Sequence, residues 1–248
     1  MSAAPLFLLA PPRLDGVRPG AKLALDGPEG RHAATVRRLA AGEAVDVADG
    51  DGRVARCTVV AAGRDRLDLR VDVVEEQPAP ALRFVLVQAL AKGGRDELAI
   101  EAATELGVDA VVPWQSGHAV VVWDADRTSR GLARWQSSVR AAAKQARRCR
   151  VPEVLPPART EEVAEMVRAA AIGVVLDGSA ERSLIELVSP SAGDVVVVVG
   201  PEGGVTADEL DVLVAAGAVA VRLGPHVLRT STAGPAALAV LSALFGRW

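Results

Sequence analysis

Gly200-Pro-Glu-Gly-Gly204 places three glycines and one carboxylate within five residues. It directly follows Val195–Val199, an unbroken β-branched run that reads as a strand buried on both faces. It directly precedes Thr206-Ala-Asp-Glu209, the pattern of a capping box that opens a helix. Glycines leave the backbone free to turn sharply and to approach a ligand closely. A strand, a glycine turn and a helix N-terminus in succession are a common small-molecule cradle. The nucleotide versions of that cradle do not apply, because the chain has neither a P-loop Gly-Lys-Ser/Thr nor G-x-G-x-x-G. Taken alone, the loop admits two readings, a ligand cradle or a tight structural turn. Glu202, set among the glycines, either orients the loop or touches a substrate. Further on, Arg229 lies in the apolar-flanked run Val227-Leu-Arg-Thr230, which predicts a partly buried guanidinium in need of a partner. Arg222 reads as a solvent-facing edge residue. Lys92 and Arg95 follow an apolar strand, at the end where open α/β sheets gather their sites.

The stretch Leu223-Gly-Pro-His-Val-Leu-Arg-Thr-Ser-Thr-Ala-Gly234 follows a short apolar run and leads into a helical pattern. In this order and at this spacing, it and Gly200–Gly204 resemble the RsmE-type family of ribosomal RNA methyltransferases, within the SPOUT superfamily. Three further stretches carry the same resemblance: His32–Leu39; Lys92–Glu97 with Glu105–Val108; and Gln145 through Val151-Pro-Glu153. The resemblance implies a PUA-like β-barrel followed by a SPOUT domain with a C-terminal trefoil knot, a rare exception to ordinary chain topology. It implies S-adenosylmethionine as methyl donor and N3 of a uridine in small-subunit (16S) ribosomal RNA as acceptor. It also implies a homodimer paired through the knotted region. The donor would be held by Leu176, Gly200, Pro201, Glu202, Gly203, Leu223, Gly224, Leu228 and Thr230. Arg229 would face the developing uracil anion, with Glu202 or solvent as base, and Arg37, Arg38, Lys92 and Arg95 would contact RNA. The chain departs from the family pattern at His226 and Ser231, where many members carry arginine and glutamate. Two rivals stand beside this reading: a SPOUT enzyme acting on a ribose 2′-hydroxyl, and a non-catalytic RNA-binding protein of the same fold.

Half of the 248 residues are hydrophobic, Tyr is absent and Phe scarce, so the core is expected to be Val, Ala and Leu. No apolar run has the length and pattern of a membrane span or signal peptide, and a cytoplasmic protein is expected. Cys57 and Cys149 stand far apart, and His32, His118 and His226 are scattered, so no metal site is expected.

Alternating strands with glycine turns over 22–73, among them the hairpin signal Asp49-Gly-Asp-Gly52, predict a small β-rich domain, with Arg31–Leu39 as a short helix. The expected boundaries are 1–74 for this domain, 75–81 for a proline-bearing linker and 82–248 for the rest. In that last part, strands at 84–88, 110–112, 174–176, 195–199 and 219–223 alternate with helices at 96–106, 129–148, 161–171 and 236–245. Such alternation predicts an α/β fold on a mostly parallel sheet covered on both faces.

The net charge of −3 hides an asymmetry. Residues 127–150 hold eight basic residues and no acidic one, and the rest of the chain is at −11. On a helix at 129–148, Leu132, Trp135, Val139, Ala142, Ala143 and Ala146 share one face. Arg127, Arg130, Arg134, Arg140, Lys144, Arg147 and Arg148 take the opposite one. A solvated face mixes signs through i,i+4 pairs; an unbroken cationic stripe fits a phosphate backbone better.

Overall fold

The computed structural model describes residues 4–9 and 14–248. The chain forms two compact units, 1–79 with 143–151, and 80–142 with 152–248. The strand β5 runs through the first part of the expected linker and ends at Glu76, which leaves 77–81 as the connection.

The first unit is a five-stranded sheet of β1 (Leu6–Leu8), β2 (Lys22–Leu25), β3 (Ala44–Ala48), β4 (Arg53–Ala62) and β5 (Leu67–Glu76), in the order β1-β3-β4-β5-β2. The β3–β4–β5–β2 pairings are antiparallel and β1 joins β3 in parallel. Alternation along the strands sends Val45, Val47, Ala55, Cys57, Val59, Leu67, Leu69 and Val71 to one side, where they enclose a core with Phe7, Leu25 and Ala33. The opposite face is polar and largely self-paired: Arg56 reaches Glu75 and Asp46, and Arg70 reaches Asp72. The expected helix at 31–39 begins earlier, as α1 (Gly27–Arg31), because Pro28 suits the first turn, and continues as a π-helical turn over His32–Val36.

The second unit is a six-stranded sheet of order β11-β9-β10-β6-β7-β8, parallel throughout. Its strands are β6 (Leu82–Ala89), β7 (Ala110–Trp114), β8 (Glu153–Val154), β9 (Ile172–Leu176), β10 (Gly193–Val199) and β11 (Ala218–Val221). The helices are α2 (Arg95–Glu105), α3 (Ala125–Gln145), α4 (Thr160–Ala169), α5 (Ala207–Ala215) and α6 (Thr230–Leu244). The five valines 195–199 of β10 are all buried, because α2 and α6 cover one face of the sheet and α4 and α5 the other. The chain steps outward from β6 to β7 and β8, then crosses to the other side of β6 to lay down β9, inserts β10 between β9 and β6, and adds β11 outside β9. The direction therefore reverses between β6 and β10, and open sheets bind ligands beyond the C-terminal ends of strands at such a point. Helix α6 starts six residues before the expected 236: Pro235 sits inside it and stands second in a Gly234–Pro235 pair that reads as a break.

No helix is long and apolar enough to cross a membrane, and no cluster of metal-ligating side chains occurs among the described residues.

Candidate functional site

The C-terminal ends of β9, β10 and β11 open onto a cavity of about 460 Å³. Its walls are Leu176–Gly178, the loop after β10, and the run Leu223–Thr230 leading into α6, with Arg95 at its edge. The loop after β10 is rigidly terminated. Thr206 caps α5 by accepting from the Glu209 N–H at 3.1 Å, and Glu209 returns the bond to the Thr206 N–H at 3.0 Å, the capping box its sequence predicts. The same carboxylate accepts from the Gly117 N–H at 2.7 Å and the Thr160 hydroxyl at 3.0 Å, tying the β7–α3 loop and the start of α4 to α5. Burial alone would raise the Glu209 pKa, but these donors outweigh it and hold the carboxyl below its ordinary value. From the same β7–α3 loop, His118 Nδ1 lies 3.0 Å from the Gly203 carbonyl and 3.2 Å from that of Gly204. Carbonyls only accept, so Nδ1 carries the proton.

Leu176, Gly200, Pro201, Glu202, Leu223, Gly224, Leu228 and Thr230 all line the cavity, as do Asp177, Gly178, Val205 and Ala233, which the sequence did not single out. Gly203 does not. It turns towards His118, and a Cβ there would lie 3.1 Å from the His118 Cβ. Gly204 and Gly224 hold left-handed φ angles of 75° and 76°, and a Cβ on either would meet only open space. Thr230, the first residue of α6, donates its hydroxyl to the Gly200 carbonyl at 2.7 Å and so clamps the two main walls together.

Arg229 differs from expectation. The whole run Gly224–Arg229 is exposed, Val227 at 95%, because it is a loop over the cavity mouth rather than a core segment. Arg229 lines the cavity with no hydrogen bond or ion pair among the described residues, so its guanidinium is available to a ligand. Arg222 is not an edge residue facing solvent: it donates to the backbone carbonyls of Ala180 and Glu181, fastening the turn after β9.

Glu202 accepts from Arg95 at 3.0 Å and from the Lys92 N–H at 3.3 Å. Burial would raise its pKa, but its own N–H, that of Lys92 and the Arg95 guanidinium outweigh this and lower it. A carboxylate so stabilised is a weak base near neutrality; it acts here as a brace between two loops. Lys92 therefore meets the site through its backbone, and Arg95 carries a charge already half-satisfied by Glu202.

The cationic stripe is shorter and less free than its sequence suggests. Helix α3 ends at Gln145, so Arg147, whose φ of 56° is left-handed, and Arg148 follow the helix rather than share its face. Acids distant in sequence reach two of its members: Glu97 lies 3.4 Å from Arg134, and Glu29 lies 2.8 Å from Lys144, whose side chain is only 25% exposed. Arg130 bonds the Asp126 carbonyl and remains exposed, whereas Arg140 is half-buried. The apolar face is as expected, with Trp135, Val139, Ala142 and Ala143 buried; Gly131 lets Trp123 close edge-on to Trp135. In the first unit Arg37 and Arg38 are both exposed, and Arg38 has a left-handed φ of 54°.

Comparison with known proteins agrees with this architecture. A family model described as an RNA methyltransferase domain matches residues 77–242, and one described as an RNA methyltransferase PUA domain matches residues 25–72. Ribosomal RNA small subunit methyltransferase E of Mycobacterium bovis is 48% identical over 92% of this chain and 89% of its own. The Bacillus subtilis protein of the same name is 28% identical over 88% of each. Among solved structures, ribosomal RNA small subunit methyltransferase E from Neisseria gonorrhoeae, bound to S-adenosyl methionine, superposes with a TM-score of 0.86 at 28% identity over 98% of both chains. A Legionella pneumophila protein solved with the cofactor SAM gives a TM-score of 0.85 at 25% identity, again over 98% of both. With an RNA methyltransferase domain over two-thirds of its length, a PUA domain before it and a near-full-length relative at 48% identity, the chain belongs to the ribosomal RNA small subunit methyltransferase E family.

Proposed function

We propose that the protein methylates N3 of a uridine in small-subunit (16S) ribosomal RNA with S-adenosylmethionine as donor. The observation that carries this reading is the cavity at the ends of β9, β10 and β11, walled by glycine-rich backbone and overlooked by the unpaired Arg229. The cavity fits the donor. Its volume lies in the range of small-molecule sites, and Gly204 and Gly224, both with left-handed φ, line it without side chains. Leu176, Leu223 and Leu228 offer apolar contact, while the backbone of Gly200, Pro201 and Glu202 supplies polar groups. When bound, the donor supplies an electrophilic methyl on a sulfonium.

The chain's own task is the acceptor. Uracil N3 carries a proton, and its lone pair is delocalised into two carbonyls, so the nitrogen attacks well only once that proton leaves. The bound donor would supply the methyl group to N3, and the N3 proton would pass to solvent. The negative charge developing on O2 and O4 meets the Arg229 guanidinium, whose alignment before reaction is what makes it effective. With Glu202 held ionised by Arg95, its part is to keep the loop in place.

Several further features belong to the same reading. The loops Gly200–Gly204 and Leu223–Thr230 are the crossings of a C-terminal trefoil knot, and the protein works in the cytoplasm as a homodimer. Leu244 and Trp248, at 40% and 66% exposure, supply apolar surface at the C-terminal end for that pairing. Incubation with labelled donor and unmodified small subunits, followed by digestion to nucleosides, is expected to give label in 3-methyluridine, from a preparation that light scattering shows to be dimeric. Label confined to 2′-O-methyl nucleosides would overturn the N3 assignment. Absence of both label and donor binding would leave a non-catalytic RNA-binding protein.

RNA contact is assigned to Arg37 and Arg38 in the first unit and to the exposed part of the α3 stripe, with Arg140, Lys144, Arg147 and Arg148 as flanking positive charge. Arg95 lies at the cavity edge, and Lys92 reaches the cavity-lining Glu202 through its backbone N–H. Exchanging Arg130, Arg134 and Arg140 together for Gln removes three charges and keeps helix propensity. With Arg130 and Arg134 on phosphates and Arg140 as flanking charge, the log–log salt slope of RNA binding should become shallower by about 1.4 units, at roughly 0.7 per phosphate contact. An unaltered slope would make α3 a solvated surface and leave Arg37 and Arg38 as the contacts.

A further inference from the structure

Gln88 is a fully buried carboxamide near the end of β6, in the middle of the parallel sheet. Its Nε2 donates to the Thr230 Oγ1 at 2.8 Å and approaches the Ala89 carbonyl at 3.2 Å. The single proton of the Thr230 hydroxyl goes to the Gly200 carbonyl at 2.7 Å. Polarity therefore runs one way, from amide to hydroxyl to carbonyl, and joins three segments far apart in sequence. Gly200 and Thr230 both line the cavity; Gln88 lies behind them. Gly234, one turn after Thr230, lets α6 come close enough to close the chain: a Cβ there would stand 3.0 Å from Leu86 Cδ1 and 3.5 Å from Gln88 Oε1. That Oε1 is buried and has no hydrogen-bond partner among the described residues. An unpaired acceptor in a protein interior is destabilising, and a leucine at 88 would avoid it. A carboxamide is thus a poor choice for packing and the right choice for directing a hydroxyl.

We propose that Gln88 is a positioning residue of the cofactor site. Through the Thr230 hydroxyl it locks the Gly200 wall of the cavity to the Leu223–Thr230 wall, and with it the backbone from which Arg229 projects. The carboxamide sets the direction of the hydroxyl: with Gln88 donating, Thr230 must donate onward to Gly200. This rests on the donor-binding reading above.

The test uses the full-length protein, calorimetric titration with S-adenosylmethionine, and melting without cofactor. Gln88→Leu should weaken donor binding by about tenfold, the loss of one directed buried hydrogen bond, while the melting temperature stays level or rises as the orphan acceptor disappears. Gln88→Met repeats the test with a more pliable side chain should Gln88→Leu not fold. Thr230→Ser keeps the hydroxyl and should keep the affinity, whereas Thr230→Val should lose it. Adding Gln88→Leu to Thr230→Val should cost no further affinity, because the two act through one relay. Donor affinity in Gln88→Leu within twofold of the unaltered protein, or additive losses in the double variant, would overturn the proposal alone. Failure of the unaltered protein to bind the donor would overturn the donor reading and this proposal with it.

Discussion

Arg229→Ala is expected to lower the single-turnover rate by a hundredfold or more while changing donor affinity little. Loss of one donor aligned with a developing oxyanion costs roughly 3–4 kcal/mol in comparable sites. The guanidinium is exposed and lines the cavity, so removing it breaks no hydrogen bond or ion pair among the described residues. Its exposure shapes the expectation further. In open solvent a charge of this kind is screened and contributes little. On the proposed reading it becomes effective when bound RNA covers the cavity mouth and excludes water. The loss should therefore appear in the rate on RNA and not in donor binding or in melting. Arg229→Lys should retain part of the rate, because it keeps the charge and loses the planar fork. An unchanged rate in Arg229→Ala would remove the residue from the chemistry. Loss of donor binding would make it a structural support of the Leu223–Thr230 wall instead.

What the sequence made legible follows from the range of the interactions involved. Five of the six strands of the parallel sheet are built on short apolar runs, and the capping box at Thr206 and Glu209 is a local pattern, so these could be read along the chain, whereas β8, two residues long and half Glu153, left no such signal. The cavity-lining glycines were legible for a similar reason, since special backbone geometry constrains residue type at the position itself. The misses are mostly long-range. Nothing near Lys144 in sequence signals Glu29, and nothing near Arg134 signals Glu97, so the stripe looked freer of acid than it is. Arg229 was expected to be half-buried because its neighbours are apolar; those neighbours turn out to be exposed themselves. Burial is a property of the packed chain, and a short apolar run in a loop does not settle it. Gln88 left one faint signal, a single polar residue in the otherwise apolar Phe84-Val-Leu-Val-Gln88, whose meaning depended on a partner 142 positions away.

Glu209→Ala is expected to lower the melting temperature of the second unit by on the order of 6–12 °C. One carboxylate accepts from the Gly117 and Thr206 N–H groups and from the Thr160 hydroxyl, and the residue is only 8% exposed. Alanine takes the acceptor from three donors, of which Thr160 and Thr206 are partly buried and Gly117 exposed, and removes half of the capping box. Together these losses amount to about 3 kcal/mol, and a domain of this size shifts by roughly 2–4 °C per kcal/mol. Glu209→Gln keeps the shape but turns an N–H pair towards one of the donors, so an intermediate loss is expected. The pH dependence has a definite sign. The folded-state pKa of Glu209 lies below the ordinary 4.5. Its contribution is therefore fully present above that value and is lost as pH falls through the folded pKa. The gap in stability between the unaltered protein and Glu209→Gln should be constant from neutrality down to about pH 5 and close below it. A melting temperature for Glu209→Ala within a degree or so of the unaltered protein would mean that the β7–α3 loop and the start of α4 are held by other contacts. The glycine loop would then owe its shape to the Thr230 clamp and His118 alone.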